Sequence, residues 1–198
     1  MNKNILKKLA WVGFTIFAAV ASQASTKYDI DAAHSSVGFK VTHLMISSVQ
    51  GRFDKFEGNF SFDEKSGKIE DLNAKIDIDS INTNDPKRDG HLKNDEFFGV
   101  RAKDNKLVEA KRWMTFTATK ANTKNNKPST VIGDLSFNGV TKPVTLNVVY
   151  KGLAKDPWGN TKLGFEAMGK ISRKDFNLTL GTKPLKLAEL LWVTKWLS

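Results

Sequence analysis

Three histidines, His34, His43 and His91, are the side chains in this sequence best suited to acid–base or metal chemistry. Three imidazoles would be enough for a catalytic zinc site. Their spacing argues against one. No two stand at i, i+2 on one strand or i, i+4 on one helix, and no fourth ligand stands out. No metal and no cofactor is therefore expected. As structural residues, His34 caps the first strand and His91 hydrogen-bonds a loop. His43 is different, because alternation puts it on the same face as Val37, Phe39 and Val41. A polar tip at the end of an apolar stripe either meets a ligand headgroup or reaches solvent at a rim.

Other chemistries find little support. The chain has no cysteine, which removes disulfides, thiol catalysis and thiolate-held metals together. No Ser-His-Asp spacing stands out, and no Gly-rich loop could cradle a phosphate. The formal net charge of +10 favours anionic partners without choosing among them. The basic residues are scattered and the aromatics alternate inward, so no stacking platform for nucleic acid is present.

The elements that would position these residues follow from period-two patterning. Val37, Phe39, Val41 and His43 alternate with polar residues, as do Phe56, Gly58, Phe60 and Phe62, and then Leu72, Ala74, Ile76 and Ile78. Further alternating stretches cover residues 113–119, 131–137, 144–150 and 163–171. Strict alternation marks half-buried strands. Turn signals at Lys65-Ser66-Gly67, Lys127-Pro128, Asn138-Gly139 and Asp156-Pro157 through Asn160 separate them. Residues 84–98 read as a loop with a short helix, and the basic, polar residues 99–112 as an exposed excursion. Trp158, in a Pro-Trp-Gly-Asn turn, reads as a plug for one end. Many antiparallel strands must hide their edges, and the pattern fits a barrel or a sandwich. In a barrel, the 13 phenylalanines would line an interior wide enough for an elongated apolar ligand; in a sandwich they fill a dry core.

The N-terminus reads as a targeting segment. Lys3, Lys7 and Lys8 precede an apolar run over residues 9–20, and small residues surround Ala21 and Ala24. That is the order of a secretory signal peptide, and the run is short for a membrane span. Residues 1–24 are the expected signal and 25–198 the single domain, with a cut after Ala21 nearly as good. Export with no cysteine suits a bacterial periplasm.

Several strings together resemble one family. Tyr28-Asp29-Ile30-Asp31 is followed by His34 through Met45, then by Val49-Gln50-Gly51-Arg52-Phe53 and Phe56-Glu57-Gly58. Next come Ile81-Asn82-Thr83, Arg88 through Asn94, and Phe97-Phe98. Gly133 through Val144, Asp156 through Asn160, and Arg173-Lys174-Asp175-Phe176 complete the set. In this order and spacing they resemble the YceI-like family over residues 28–178. The resemblance implies an all-β, extended lipocalin-like antiparallel barrel with a short helix in a loop. It implies a periplasmic protein, often a homodimer, that holds a polyisoprenoid or similar long-chain lipid inside. The expected lining is Val37, Phe39, Val41, His43, Phe60, Ile76, Ile78, Leu135, Phe137, Val148, Phe165 and Ala167. For a phosphate headgroup, Arg52, Arg88 and Arg173 are the candidates, since guanidinium binds phosphate in bidentate fashion. Surface charge or local ion pairing is the alternative for each. A lipid carrier with no catalytic residue is thus the leading expectation. An enzyme acting on a lipid or isoprenoid intermediate, with His43 or His91 as acid/base, is the other.

The tail departs from the pattern. Residues 185–196 read as an amphipathic helix, where the family should close its barrel with a Gly-Gly turn and a last strand. Taking the last base of each codon with the first two of the next, residues 182–190 permit Asn-Lys-Thr-Phe-Glu-Thr-Gly-Gly-Ala. Residues 191–198 then permit Phe-Val-Gly-Asp-Lys-Val-Val-Lys. The expectation is that the chain from about Leu180 onward is translated out of frame, which makes residues 179–198 doubtful as part of the domain. Such a barrel would lack its closing strand beyond Ile171. A genuine helical tail, able to bind a membrane, is the alternative.

Overall fold

Left-handed backbone marks where this chain reverses. Asn125 and Asn126 (φ +53° and +55°) and Asn138 and Gly139 (φ +49° and +74°) meet the demand of two-residue hairpins for positive φ at both central residues. Between such turns the alternating stretches become strands. The computed structural model describes residues 25–43, 46–178 and 188–193. Its strands are β1 (Thr26–Asp29), β2 (Ser36–His43), β3 (Ser47–Phe53), β4 (Phe56–Asp63), β5 (Lys68–Asp77) and β6 (Ile81–Asn82). They continue with β7 (Trp113–Lys124), β8 (Lys127–Phe137), β9 (Val140–Lys155), β10 (Thr161–Ile171) and β11 (Ala188–Val193). Helices α1 (Pro86–Lys93) and α2 (Glu109–Arg112) and the 3₁₀ turns Ile78–Ser80 and Arg173–Phe176 complete the description.

The strands form one antiparallel sheet in the order β1-β4-β5-β7-β8-β9-β10-β11-β2-β3-β6. Chain connectivity curls this sheet. β1 runs into β2 through residues 30–35, β3 into β4 through residues 54–55, and β5 into β6 through the turn Ile78–Ser80. Each pair joins opposite ends of the strand order across a link of a few residues. Consecutive Cα atoms lie about 3.8 Å apart, so links this short cannot cross a flat sheet of eleven strands. The corner is pinned by hydrogen bonds. Asp54 N–H donates to Ser80 O (3.0 Å), Asp77 N–H to Lys55 O (2.9 Å) and Lys55 N–H to Ser80 Oγ (2.9 Å). Register shifts between Asn59 and Ser61, Ala118 and Lys120, and Gly164 and Phe165 supply the curvature a closed sheet needs.

Ring contacts confirm the closure. Phe60 and Phe62 on β4 meet Phe165 on β10 edge-on, with centroids 5.7 and 5.4 Å apart, although four strands separate β4 from β10 in the order. The barrel reading therefore holds over the sandwich.

Several local readings need correction. Ile78 does not continue a strand but opens the 3₁₀ turn, where Asp77 caps it by accepting from Asp79 N–H. The hairpin between β7 and β8 turns at Asn125-Asn126, and Lys127-Pro128 begins β8. Residues 99–112 are only in part an exposed excursion: residues 103–106 and 109–111 are exposed. Val100 is buried, Leu107 packs on the core, and two of the basic residues, Arg101 and Arg112, are drawn in by carboxylates. Arg101 grips Asp79 through Nε and Nη2 (2.8 and 2.5 Å), and Arg112 grips Asp77 (3.2 and 2.9 Å). Asp77 is only 3% exposed, so the segment closes one end of the barrel instead of leaving it.

The tail reading changes most. Residues 188–193 are a strand, pairing with β10 from Ala167↔Trp192 to Ile171↔Ala188 and with β2 from Val37↔Trp192 to Val41↔Ala188. The expected gap after Ile171 is filled there. A slot between two strands presents unpaired N–H and C=O groups on both sides, and Ala-Glu-Leu-Leu-Trp-Val satisfies a period of two as readily as one of 3.6. The rest of the predicted helix, and the expected signal at residues 1–24, lie outside the described residues.

Candidate functional site

The inward faces meet in a hydrocarbon interior. Val37, Phe60, Ile76, Ile78, Leu135, Phe137, Val148 and Phe165 are buried, and Phe39, Val41 and Ala167 pack against them half-buried. The strand registers assigned from alternation are thus correct. The interior divides into three parts. Phe60, Val148, Phe165 and Ala167, together with Ile30, Ile69, Leu72, Ala74, Phe116, Val131 and Leu146, line an apolar cavity of about 60 Å³. Above it, Tyr28 stacks on Phe60 (5.9 Å), and Tyr150 meets Phe62 (5.8 Å) and Phe165 (5.2 Å). Below it, Phe98 contacts Phe97 (4.5 Å) and Phe137 (5.6 Å), and Phe137 contacts Phe176 (5.9 Å).

Of the expected lining residues, only these four border the cavity itself. Val37, Ile76 and Leu135 lie in packed core, Ile78 and Phe137 sit towards the closed end, and Phe39 pairs with Phe53 at 5.7 Å. Val41 stands opposite Val49, and His43 ends β2 opposite Ser47. Glycine was the signal that the alternation reading passed over. A Cβ at Gly51 would lie 2.8 Å from Phe39 Cε1, and one at Gly133 would lie 2.5 Å from Phe116 Cζ. Each glycine lets a ring lie flat across its strand, so aromatic–glycine pairing sets how full the barrel is.

A cavity of about 60 Å³ holds only a few water-sized groups, at roughly 10–15 Å³ each. An elongated ligand must therefore displace ring packing. The two phenols border the charged rim as well: burial and then the Glu64 carboxylate push Tyr28 and Tyr150 above the ordinary phenol value.

The polar candidates scatter. His34 Nδ1 lies 2.9 Å from Asp31 Oδ2 at an exposed corner, and that bond holds Asp31 below the usual carboxylate range. His91 is exposed on α1, so it hydrogen-bonds no loop in the interior. Trp158 is 84% exposed and plugs nothing, because Asp156 accepts from the N–H groups of Trp158 and Asn160 and turns the ring outward. Arg52 Nε pairs with Asp54 (2.7 Å). Arg88 donates to Thr83 Oγ1 and O, both at 2.8 Å, bracing α1. Arg173 lies over the Phe97 ring at 5.8 Å. The structure does not bring the three arginines together. Among the described residues no helix is long and apolar enough to cross a membrane, and no cluster of three or more His, Cys, Asp or Glu stands ready for a metal.

The model of the YceI-like domain family matches residues 28–193. The chain belongs to the YceI-like family. Protein YceI of Salmonella newport (strain SL254) is 42% identical over 185 residues, 93% of this chain and 91% of the relative. The crystal structure of the Campylobacter jejuni YCEI protein superposes with a TM-score of 0.63 at 34% identity, covering 82% of this chain and 93% of that one. Two more distant structures share the fold. Burkholderia cenocepacia BcnA has a TM-score of 0.67 at 19% identity, covering 85% of this chain and 99% of its own. A polyisoprenoid binding domain from Saccharophagus degradans has a TM-score of 0.56 at 16% identity, covering 86% and 97%. This YceI-like chain is accordingly an extended, lipocalin-like antiparallel barrel with a short helix, α1, in a loop.

Proposed function

We propose that the protein is a periplasmic carrier that holds a polyisoprenoid or similar long-chain lipid in its barrel. The observation that carries this reading is the interior itself: every side chain lining the cavity is hydrocarbon, and aromatic clusters extend it in both directions. Such an interior rewards an apolar chain with contact along its whole length and offers a hydrogen-bonding substrate nothing. The shared fold with a domain described as polyisoprenoid binding supports the same class of ligand. No acid or base projects into the cavity, which favours holding the lipid unchanged over turning it over. Residues 1–24 act as the export signal in this reading, so the mature chain begins at Ser25 and carries about +7 (10 − 3).

Loading follows from the packing. The ring cluster of Tyr28, Phe60, Phe62, Tyr150 and Phe165 moves aside and the chain takes its place, replacing one set of apolar contacts by another. Native mass spectrometry of protein purified from its source membrane fraction, without delipidation, tests the proposal. A co-purifying isoprenoid or long acyl lipid whose mass stays constant on incubation is the expected result. Repeated preparations free of lipid overturn the carrier role, and a product peak makes the protein an enzyme.

A further inference from the structure

One rim of the barrel presents a large aromatic ring to water on a turn built to keep it there. Trp158 is 84% exposed at the tip of the β9–β10 hairpin. Asp156 fixes that tip. Its carboxylate accepts from the N–H groups of Trp158 (3.0 Å) and Asn160 (2.9 Å) and from Asn160 Nδ2 (2.9 Å), and its carbonyl accepts from Gly159 N–H (3.0 Å). Gly159 takes the positive φ of +87° that the turn requires. Leu153, on the same hairpin, is exposed as well. The ring also walls a surface recess of about 310 Å³, shared with His34, Lys155 and Lys162.

Topology surrounds this ring with cations. β4, β7 and β9 are alternate strands of an antiparallel sheet and run in the same sense. The hairpin tips that follow them, residues 64–67, 125–126 and 156–160, therefore share one rim. The first two touch, since Gly67 leaves no room for a Cβ against Asn126 O. Lys65, Lys124, Lys127 and Lys155 stand exposed on or beside these tips, and none has a carboxylate within ion-pair distance among the described residues. Of the acids on the tips, Asp156 is engaged in its turn and Glu64 is exposed. Just inside the same rim lie Phe62 and Tyr150, near the ends of β4 and β9, above the cavity.

We infer that this rim docks on the surface of an anionic lipid bilayer. Trp158 enters the interface with Leu153 behind it, and the four lysines lie over the headgroups. A tryptophan ring is at home at headgroup level, where one edge is wet and the rest apolar. Lysines spread over three tips match a diffuse anionic surface, whereas the centre of a protein interface is depleted of them. The inference goes beyond the carrier reading, because docking is read on vesicles that hold no isoprenoid.

The test is co-sedimentation of the full mature chain with phosphatidylcholine vesicles made with or without phosphatidylglycerol. Wild type should prefer the anionic vesicles at least tenfold, and high salt should abolish the preference. Trp158→Ala should bind them about tenfold more weakly, the scale of withdrawing one large apolar side chain, with its melting temperature unchanged. Lys124→Gln/Lys127→Gln should lose roughly twentyfold, at about fivefold per lysine. The control Lys87→Gln/Lys142→Gln removes the same charge from exposed positions on α1 and at the start of β9, away from this rim, and should stay within about twofold of wild type. Equal weakening by both lysine pairs reduces the effect to net charge and overturns the inference. So does a Trp158→Ala variant that binds like wild type. Wild type that ignores both vesicles, or sediments instead with lipid-free peptidoglycan, overturns it too. None of these results touches the carrier reading, which is decided by the lipid that co-purifies.

Discussion

Phe165→Ala should weaken the fold and tighten the hold on a long-chain probe, two effects of opposite sign from one ring. Phe165 is 5% exposed and contacts Phe60, Phe62 and Tyr150 while lining the cavity. Losing a buried phenyl forfeits about 2 kcal/mol of transfer energy. The vacated volume, on the order of 100 Å³, adds roughly 2.4 kcal/mol at about 24 cal/mol per Å³. The sum, about 4 kcal/mol, should lower the melting temperature by roughly 8–16 °C in a domain of this size. The same space joins the existing cavity, so a lipid tail no longer has to expel the ring. Affinity for geranylgeraniol should rise a few-fold, measured by titration below the variant's melting range. A loss under about 1 kcal/mol would mean the ring is not packed as described. Affinity that falls in step with stability would refute the idea that ring packing occupies the room the ligand needs.

Phe39→Asp places a carboxylate over Gly51 and beside Phe53, where the ring packs against the core, so lipid retention should be lost or the chain should fail to fold; lipid retained at the wild-type level would move Phe39 out of the interior. Asp79 is held below the ordinary carboxylate value, first by its hydrogen bonds from Arg101, so its contribution to stability is complete above the unfolded value and is lost as pH falls through the folded one. Thermal melts should therefore decline below about pH 4, and Asp79→Asn should cost about 1–3 kcal/mol at pH 7 while flattening that acid limb. An unchanged acid limb would place the pH sensitivity elsewhere. We also propose that the chain from about Leu180 onward is translated out of frame. Resequencing the gene should find a single-base lesion near that codon, and the frame-restored protein should melt higher; a confirmed intact frame removes the proposal.

Alternation alone made the strands legible, because residues i and i+2 of a half-buried strand must share solvent or core whatever the neighbouring strands are. That is why Val37, Phe60, Leu135, Val148 and Phe165 could be assigned inward without a partner strand in view. The ordered motifs from Tyr28 to Phe176 carried the family. What alternation cannot encode is which strands meet. Sequence placed residues 99–112 outside because they are basic; only the fold brings Asp77 and Asp79 within reach of Arg112 and Arg101. Residues 188–193 satisfied both a helical and a strand period, and the slot between β10 and β2 decided for the strand. The arginines looked equivalent as letters, and carboxylates close in sequence answer Arg52 and Arg88. Whether Arg173 has an answering charge depends on which elements pack at the base of the barrel, because a cation is unpaired only with respect to what surrounds it in space.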